Sequence, residues 1–131
     1  MENRKRFLLV EDNEDLGEVL DDLVKKQGFE VLYYVSLVDA LKQLDIEHNI
    51  DLALIDLMDD LSPSVSGVDV AQKVKKNNPD AQIFIMSGLE LEAVGIVKRL
   101  IERKEVQGFI KKPVGFREIK DLLALAGNKG Q

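Results

Sequence analysis

Short apolar segments alternate with stretches whose apolar residues recur at helical spacing, and this alternation constrains the fold more than any other sequence feature. Strands that alternate with helices form βαβ units, whose strands lie parallel and are covered on both faces. We therefore predict a doubly wound, five-stranded parallel sheet of the α/β class. Its strands would be Phe7–Val10, Val31–Val35, Leu52–Ile55, Ile83–Met86 and Gly108–Ile110.

The intervening helices have recognisable ends. Gly28 follows the first helix, where glycine is favoured just past a C-terminus, and Ser36 is a good N-cap for the second. Gly95 is expected to be a weak point inside the fourth helix. The core residues of the five helices span Leu16–Val24, Leu37–Leu44, Val70–Val74, Leu91–Ile101 and Ile119–Ala126.

Length and composition exclude several classes of protein. A chain of 131 residues suits one domain, which we place at residues 1–131 with its core at about 6–126 and a frayed tail at 127–131. The absence of cysteine excludes disulfides, thiol catalysis and cysteine zinc sites. A single histidine, His48, excludes a histidine-rich metal site and argues against a Ser-His-Asp triad.

Charge and hydropathy indicate which binding partners and which cellular compartment to expect. The net charge of -6 argues against direct nucleic-acid binding. No apolar run approaches the length needed to cross a membrane, and the first residues lead into no signal-peptide segment. We expect a cytoplasmic protein that does not bind membranes.

Chemically specific residues follow four of the predicted strands. In an open parallel sheet, ligands bind at the carboxyl ends of the strands. The residues at these ends are Glu11, Asp12, Asp56, Ser87 and Lys112. Three converging carboxylates repel one another unless a cation lies among them, and oxygen ligands suit Mg²⁺. With Mg²⁺, the Lys112 ammonium and the Ser87 hydroxyl, such a site could stabilise a phosphoryl group on a carboxylate.

Together these residues resemble a known family, the receiver domains of two-component response regulators, which includes the single-domain chemotaxis-type regulators. The resemblance extends over about residues 6–126 and adds a flavodoxin-like strand order to the expected fold. Each motif is weak alone, but the four occur in the family's order at the ends of strands one, three, four and five. They are Glu11-Asp12, Asp56, Ser87-Gly88 and Lys112-Pro113.

The resemblance implies a role for each metal-site residue. Asp56 would be the phosphoacceptor, attacking a phosphohistidine on a sensor histidine kinase or a phosphotransfer protein. Asp12 and Asp56 would bind Mg²⁺ directly, Glu11 would act mainly through metal-bound water, and the backbone carbonyl of Met58 would complete the site. Lys112 would pair with Asp56 and then with the phosphoryl oxygens, and a cis bond to Pro113 would aim it.

The resemblance also implies a switch. Ser87 would move to hydrogen-bond the phosphate, and the aromatic residue Phe109 would turn inward in the active state. The fourth helix, fifth strand and fifth helix would then present a changed surface to a downstream protein target or output domain, or form a homodimer. The resemblance also implies that two positions tune loss of the phosphate, one two residues after the acceptor and one two residues after the switch hydroxyl. Both are apolar here, Met58 and Leu89, and cannot orient an attacking water, so we expect a long-lived phosphoryl state.

The chain departs from the family pattern beside the metal site. Gly67 keeps the family's spacing of four after Pro63, but Pro63 follows Asp56 by seven positions instead of four, so three residues, within Asp59-Asp60-Leu61, look inserted. These extra carboxylates could tighten cation binding or form a new contact loop. The stretch from Ser87 to Lys112 is also longer than usual.

Each candidate residue also has a purely structural interpretation. Glu11 and Asp12 could only favour the first helix N-terminus, Ser87 could only cap a helix, and Phe109 could only fill the core. Lys112, beside Lys111, could be one of two solvated charges. Asp56 is harder to explain in this way, because burying a carboxylate after an apolar strand is unfavourable unless a site requires it.

Several functions remain open at this point. The favoured one is a phospho-accepting signalling switch, and the alternative is a pseudo-receiver, an interaction module that does not cycle phosphate. A Mg²⁺-dependent phosphatase is disfavoured by the spacing of Asp56 and Asp59, and a flavodoxin-like electron carrier by the lack of a phosphate loop after the first strand. A receiver excised from a longer regulator or hybrid kinase has the same sequence signature.

Overall fold

The computed structural model describes residues 4–47, 49–57 and 66–128, which form five strands that alternate with five helices. The strands are β1 (Arg6–Val10), β2 (Glu30–Tyr34), β3 (Leu52–Asp56), β4 (Gln82–Ser87) and β5 (Gly108–Lys111). The helices are α1 (Glu14–Lys26), α2 (Leu37–Gln43), α3 (Gly67–Asn77), α4 (Gly95–Glu102) and α5 (Phe116–Asn128).

All strand pairs are parallel, and the strand order is β2-β1-β3-β4-β5. After β1 the chain forms β2 on one side, then crosses to build β3, β4 and β5 on the other. The order therefore reverses between β1 and β3, and sheets of this kind bind ligands beyond the carboxyl ends of the strands at such a point. This confirms the predicted doubly wound, flavodoxin-like fold and places the β1 and β3 termini side by side.

The sheet is buried on both faces because alternate side chains of each strand point in opposite directions. Leu8, Ala53 and Ile83 pack with apolar residues of α2, α3 and α4 on one face. Phe7 and Leu54 pack with α1 and α5 on the other face. This two-sided burial explains why the strands read as continuous apolar runs.

Two predicted helix ends are confirmed. Gly28 has φ +95, a conformation that glycine adopts more readily than other residues, and its N–H donates to the Lys25 carbonyl at 3.0 Å. The Ser36 hydroxyl accepts a hydrogen bond from the Asp39 N–H at 3.2 Å, as an N-cap does.

The fourth helix differs from the prediction. A short 3₁₀ turn occupies Leu91–Ala93, and α4 begins only at Gly95, so this glycine opens the helix instead of interrupting it. The backbone of Val94 (φ -121, ψ 72) is not helical, although its side chain is buried. Apolar spacing alone could not reveal this break, because Leu91, Val94 and Val97 keep the three-residue spacing of a helix across it and all pack on the core.

Smaller differences occur elsewhere. β2 lies one residue earlier than predicted, and α5 extends through Asn128, into the segment expected to fray. No helix among the described residues is long and apolar enough to cross a membrane.

Candidate functional site

The structure brings the predicted strand-end residues together at the carboxyl edge of the sheet. Glu11 directly follows β1, Asp56 ends β3, Ser87 ends β4, and Lys112 directly follows β5. Glu11, Asp56 and Ser87 are the buried polar residues of the described chain, with exposures of 0%, 5% and 2%. Each sits where an apolar strand ends, so burial of the strand carries the polar group into the protein.

Lys112 joins the two buried carboxylates. Its Nζ lies 2.7 Å from Asp56 Oδ2 and 2.8 Å from Glu11 Oε1, although 101 residues separate it from Glu11. Burial by itself lowers the pKa of the Lys112 ammonium, but the hydrogen bonds to Asp56 and Glu11 outweigh this effect and raise the pKa. Lys112 therefore stays a cation that faces the end of β3.

Glu11 is held from both sides. Besides contacting Lys112, its Oε2 accepts a hydrogen bond from the backbone N–H of Asn13 at 2.9 Å. Burial nevertheless raises the pKa of the Glu11 carboxyl from 4.5 to about 7, since the two hydrogen bonds only partly offset desolvation and Asp56 raises the pKa further. Without a further cation, one proton is therefore readily held at this site near neutral pH.

Glu11, Asp12 and Asp56 form a group suited to a metal ion. Each offers a carboxylate oxygen, and these oxygens lie within 4.8 Å of one another. Asp12 is exposed, whereas the other two are buried, so the group opens to solvent on one side. An all-oxygen set with an open side matches the preference of Mg²⁺, which usually keeps several waters.

Ser87 lies at the end of β4, next to the β5 terminus. Its hydroxyl accepts a hydrogen bond from the Leu89 N–H at 3.0 Å, and its carbonyl accepts one from the Lys112 N–H at 2.8 Å. The second bond ties the Lys112 backbone to β4. The Lys112-Pro113 peptide bond is cis, as the resemblance implies.

Phe109 is half-buried and packs against the apolar cluster that β4 shares with α4. It is therefore close to the face that the predicted switch would use. Met58 and the Asp59-Asp60-Leu61 segment lie outside the described residues, as does His48.

Sequence reasoning missed two residues that shape this site, and it noted Gly67 only for its spacing after Pro63. Asn13 caps α1, accepting from the Leu16 N–H at 3.1 Å, and also holds Glu11. Ser66 caps α3 in a reciprocal arrangement with Asp69, and Gly67 follows it against the end of β3. Asn13 and Ser66 had a readable signal, because each stands immediately before a helical stretch.

Comparison with known proteins gives consistent similarities. A family model described as the response regulator receiver domain matches residues 7–124. A cyclic di-GMP phosphodiesterase from Thermotoga maritima is 31% identical over 113 residues, which make up 86% of this chain and 28% of the relative. The chain thus spans less than a third of that relative's length.

Two other similarities cover more of the relative. The response regulator receiver protein CpdR from Brucella abortus is 28% identical over 90 residues, which are 69% of this chain and 72% of the relative. A response regulator protein from Burkholderia pseudomallei, crystallised with a phosphorylated aspartic acid, a calcium ion and citrate, is 25% identical with a TM-score of 0.71. That match covers 94% of this chain and 69% of the other.

Proposed function

The chain belongs to the response regulator receiver domain family, and from that premise we propose that Asp56 accepts a phosphoryl group from a sensor histidine kinase or a phosphotransfer protein. A carboxylate oxygen of Asp56 attacks the phosphorus of the phosphohistidine. The O–P bond forms as the P–N bond breaks, which leaves an acyl phosphate on Asp56 and a histidine that takes up a proton from water.

The observation that carries this proposal is the contact between Lys112 Nζ and Asp56 Oδ2 at 2.7 Å, within a group of three carboxylates. A buried carboxylate is stable only when paired, and the exposed Asp12 beside Asp56 leaves the carboxylate group open to solvent on one side. The same ammonium would lie beside a phosphoryl group on Asp56 and stabilise the charge that develops on its oxygens.

Glu11, Asp12 and Asp56 are proposed to hold Mg²⁺, with the Met58 carbonyl as a further ligand that lies outside the described residues. The ion would neutralise negative charge shared by the carboxylates and the phosphoryl oxygens. Lys112 pairs with Glu11 and Asp56 in the metal-free protein and orients the acceptor.

Ser87 and Phe109 are proposed to carry the signal. Within the described part of the chain, the Ser87 hydroxyl accepts a hydrogen bond from the Leu89 N–H and is not seen to donate one, so its proton is available to donate to a phosphoryl oxygen. Rotation of that side chain would make room near Phe109, which packs against the α4 side of the sheet. The surface formed by α4, β5 and α5 would then bind a downstream protein target, an output domain or a second copy of the chain, in the cytoplasm.

Intact-mass spectrometry after incubation with Mg²⁺ and acetyl phosphate tests the phosphoacceptor. Wild-type protein should gain one phosphoryl group, and the gain should disappear with EDTA. Asp56→Asn should gain none, because the amide cannot form the acyl phosphate. Asp22→Asn, which changes an exposed carboxylate on α1, is the matched control and should react like wild type.

Two results would contradict the proposal. An adduct that persists in Asp56→Asn would place the acceptor elsewhere. A folded wild-type protein that gains no phosphoryl group from acetyl phosphate or a phosphorylated kinase would instead favour a pseudo-receiver.

A further inference from the structure

Gly67, the first residue of α3, packs directly on the backbone of the proposed phosphoacceptor. A Cβ atom at this position would lie 2.6 Å from the Asp56 carbonyl oxygen and 2.8 Å from the Leu57 Cα. Both distances are far below van der Waals contact. Only glycine lets the N-terminus of α3 approach the end of β3 this closely.

The atoms in the way cannot rotate aside, because they belong to the backbone of a buried strand end. Asp56 pairs with Met86 in the sheet, and the Leu57 N–H donates to the Met86 carbonyl at 2.9 Å. A side chain at position 67 would therefore have to push β3 away from α3 or push α3 away from β3.

The N-terminus of α3 is itself fixed. The Ser66 hydroxyl accepts a hydrogen bond from the Val68 N–H at 3.2 Å, and Asp69 Oδ2 accepts one from the Ser66 N–H at 2.8 Å. The Gly67 N–H donates to the Leu57 carbonyl at 3.1 Å. Asp56 and Leu57 are thus held between β4 on one side and the capped first turn of α3 on the other.

We propose that Gly67 is a positioning residue that sets where the Asp56 carboxylate stands relative to Lys112 and to the other two carboxylates. It touches no reacting atom and acts through the Asp56 backbone. The inference rests on the proposed function, since it assigns to α3 the placement of the acceptor. A methyl group at position 67 displaces Asp56 from the 2.7 Å contact with Lys112 and widens the carboxylate group.

The test compares wild type and Gly67→Ala in two measurements. The rate of phosphorylation by acetyl phosphate at saturating Mg²⁺ should fall on the order of 10- to 100-fold, because misplacement by about 1 Å can slow a reaction to this extent. Mg²⁺ affinity, measured by calorimetry without phosphodonor, should also fall, since Asp56 is one of the three proposed carboxylate ligands.

A control variant and a measurement on metal-free protein distinguish positioning of Asp56 from a general loss of stability in α3. Val74→Ala truncates a fully buried side chain of the same helix, seven residues after Gly67, so it destabilises α3 while its rate stays within about threefold of wild type. In Gly67→Ala, hydrogen exchange of the Leu57 amide should accelerate more than that of the β1 amides. In Val74→Ala the two should accelerate together.

If Gly67→Ala does not fold, Ser66→Ala provides the test in its place. It adds no atoms but removes the cap, so the first turn of α3 loosens and the phosphorylation rate should fall below that of Val74→Ala. The proposal is overturned if the folded Gly67→Ala, or Ser66→Ala in its place, loses no more rate and Mg²⁺ affinity than Val74→Ala. If wild type takes up no phosphoryl group, the proposed function fails, and Mg²⁺ affinity with Leu57 exchange still decides the role of Gly67.

Discussion

Metal-free protein should lose stability as the pH rises from about 4.5 to about 7, and Glu11→Gln should remove that loss. Glu11 is fully buried, and burial raises the pKa of its carboxyl from 4.5 to about 7. The folded protein therefore binds a proton that the unfolded chain releases above pH 4.5. The stabilising contribution of protonated Glu11 is fully present below pH 4.5 and is lost as the pH rises through the pKa of the folded protein.

The magnitude follows from the two pKa values. At about 1.4 kcal/mol for each pH unit between them, ionising Glu11 in the folded protein lowers the free energy of unfolding by about 3 kcal/mol. Lys112 at 2.8 Å already offsets part of the desolvation, so this is the remaining cost. Glutamine mimics the protonated carboxyl and has no charge to bury.

Urea unfolding in EDTA, followed by circular dichroism at several pH values, checks this prediction. The difference in free energy of unfolding between wild type and Glu11→Gln should shift against wild type by about 3 kcal/mol across the interval. Glu102→Gln, an exposed change on α4, should track wild type. A difference that is independent of pH, or that shifts in favour of wild type, would refute the assignment of the raised pKa to Glu11.

Three other outcomes are expected. Asp12→Asn should reduce the Mg²⁺-induced rise in the urea midpoint, because it removes one of three carboxylate ligands; an undiminished rise would exclude Asp12 as a ligand. Lys104 has φ 63, a left-handed conformation that glycine adopts more readily, so Lys104→Gly should stabilise the protein by about 1 kcal/mol. Gly28→Ala, at φ 95, should destabilise it by a similar amount. Urea midpoints equal to that of wild type would contradict both predictions. Leu89→Asn should shorten the lifetime of the phosphorylated protein several-fold in an autodephosphorylation assay, because its amide can orient water; an unchanged lifetime would show that position 89 does not control hydrolysis.

Much of this architecture was predictable because the relevant patterns are local. Five apolar runs and five helical stretches predicted the parallel sheet, and the residue that ends a strand can be read directly beside it. Asp56, Ser87 and Lys112 were identified in this way, and their burial or contacts in the structure agree with a shared site. The N-cap role of Ser36 was readable for the same reason.

The tertiary structure decided the features that join distant parts of the chain. The pairing of Lys112 with Glu11, the start of α4 at Gly95 and the contact of Gly67 with Asp56 left no periodic signal in the sequence. The sequence by itself determined which polar residues stand at the carboxyl ends of β1, β3, β4 and β5, since the boundary between an apolar run and a polar residue is a property of neighbouring residues. How closely those ends approach one another was decided only by packing, because contact distances depend on how helices and strands far apart in the chain fill the same space.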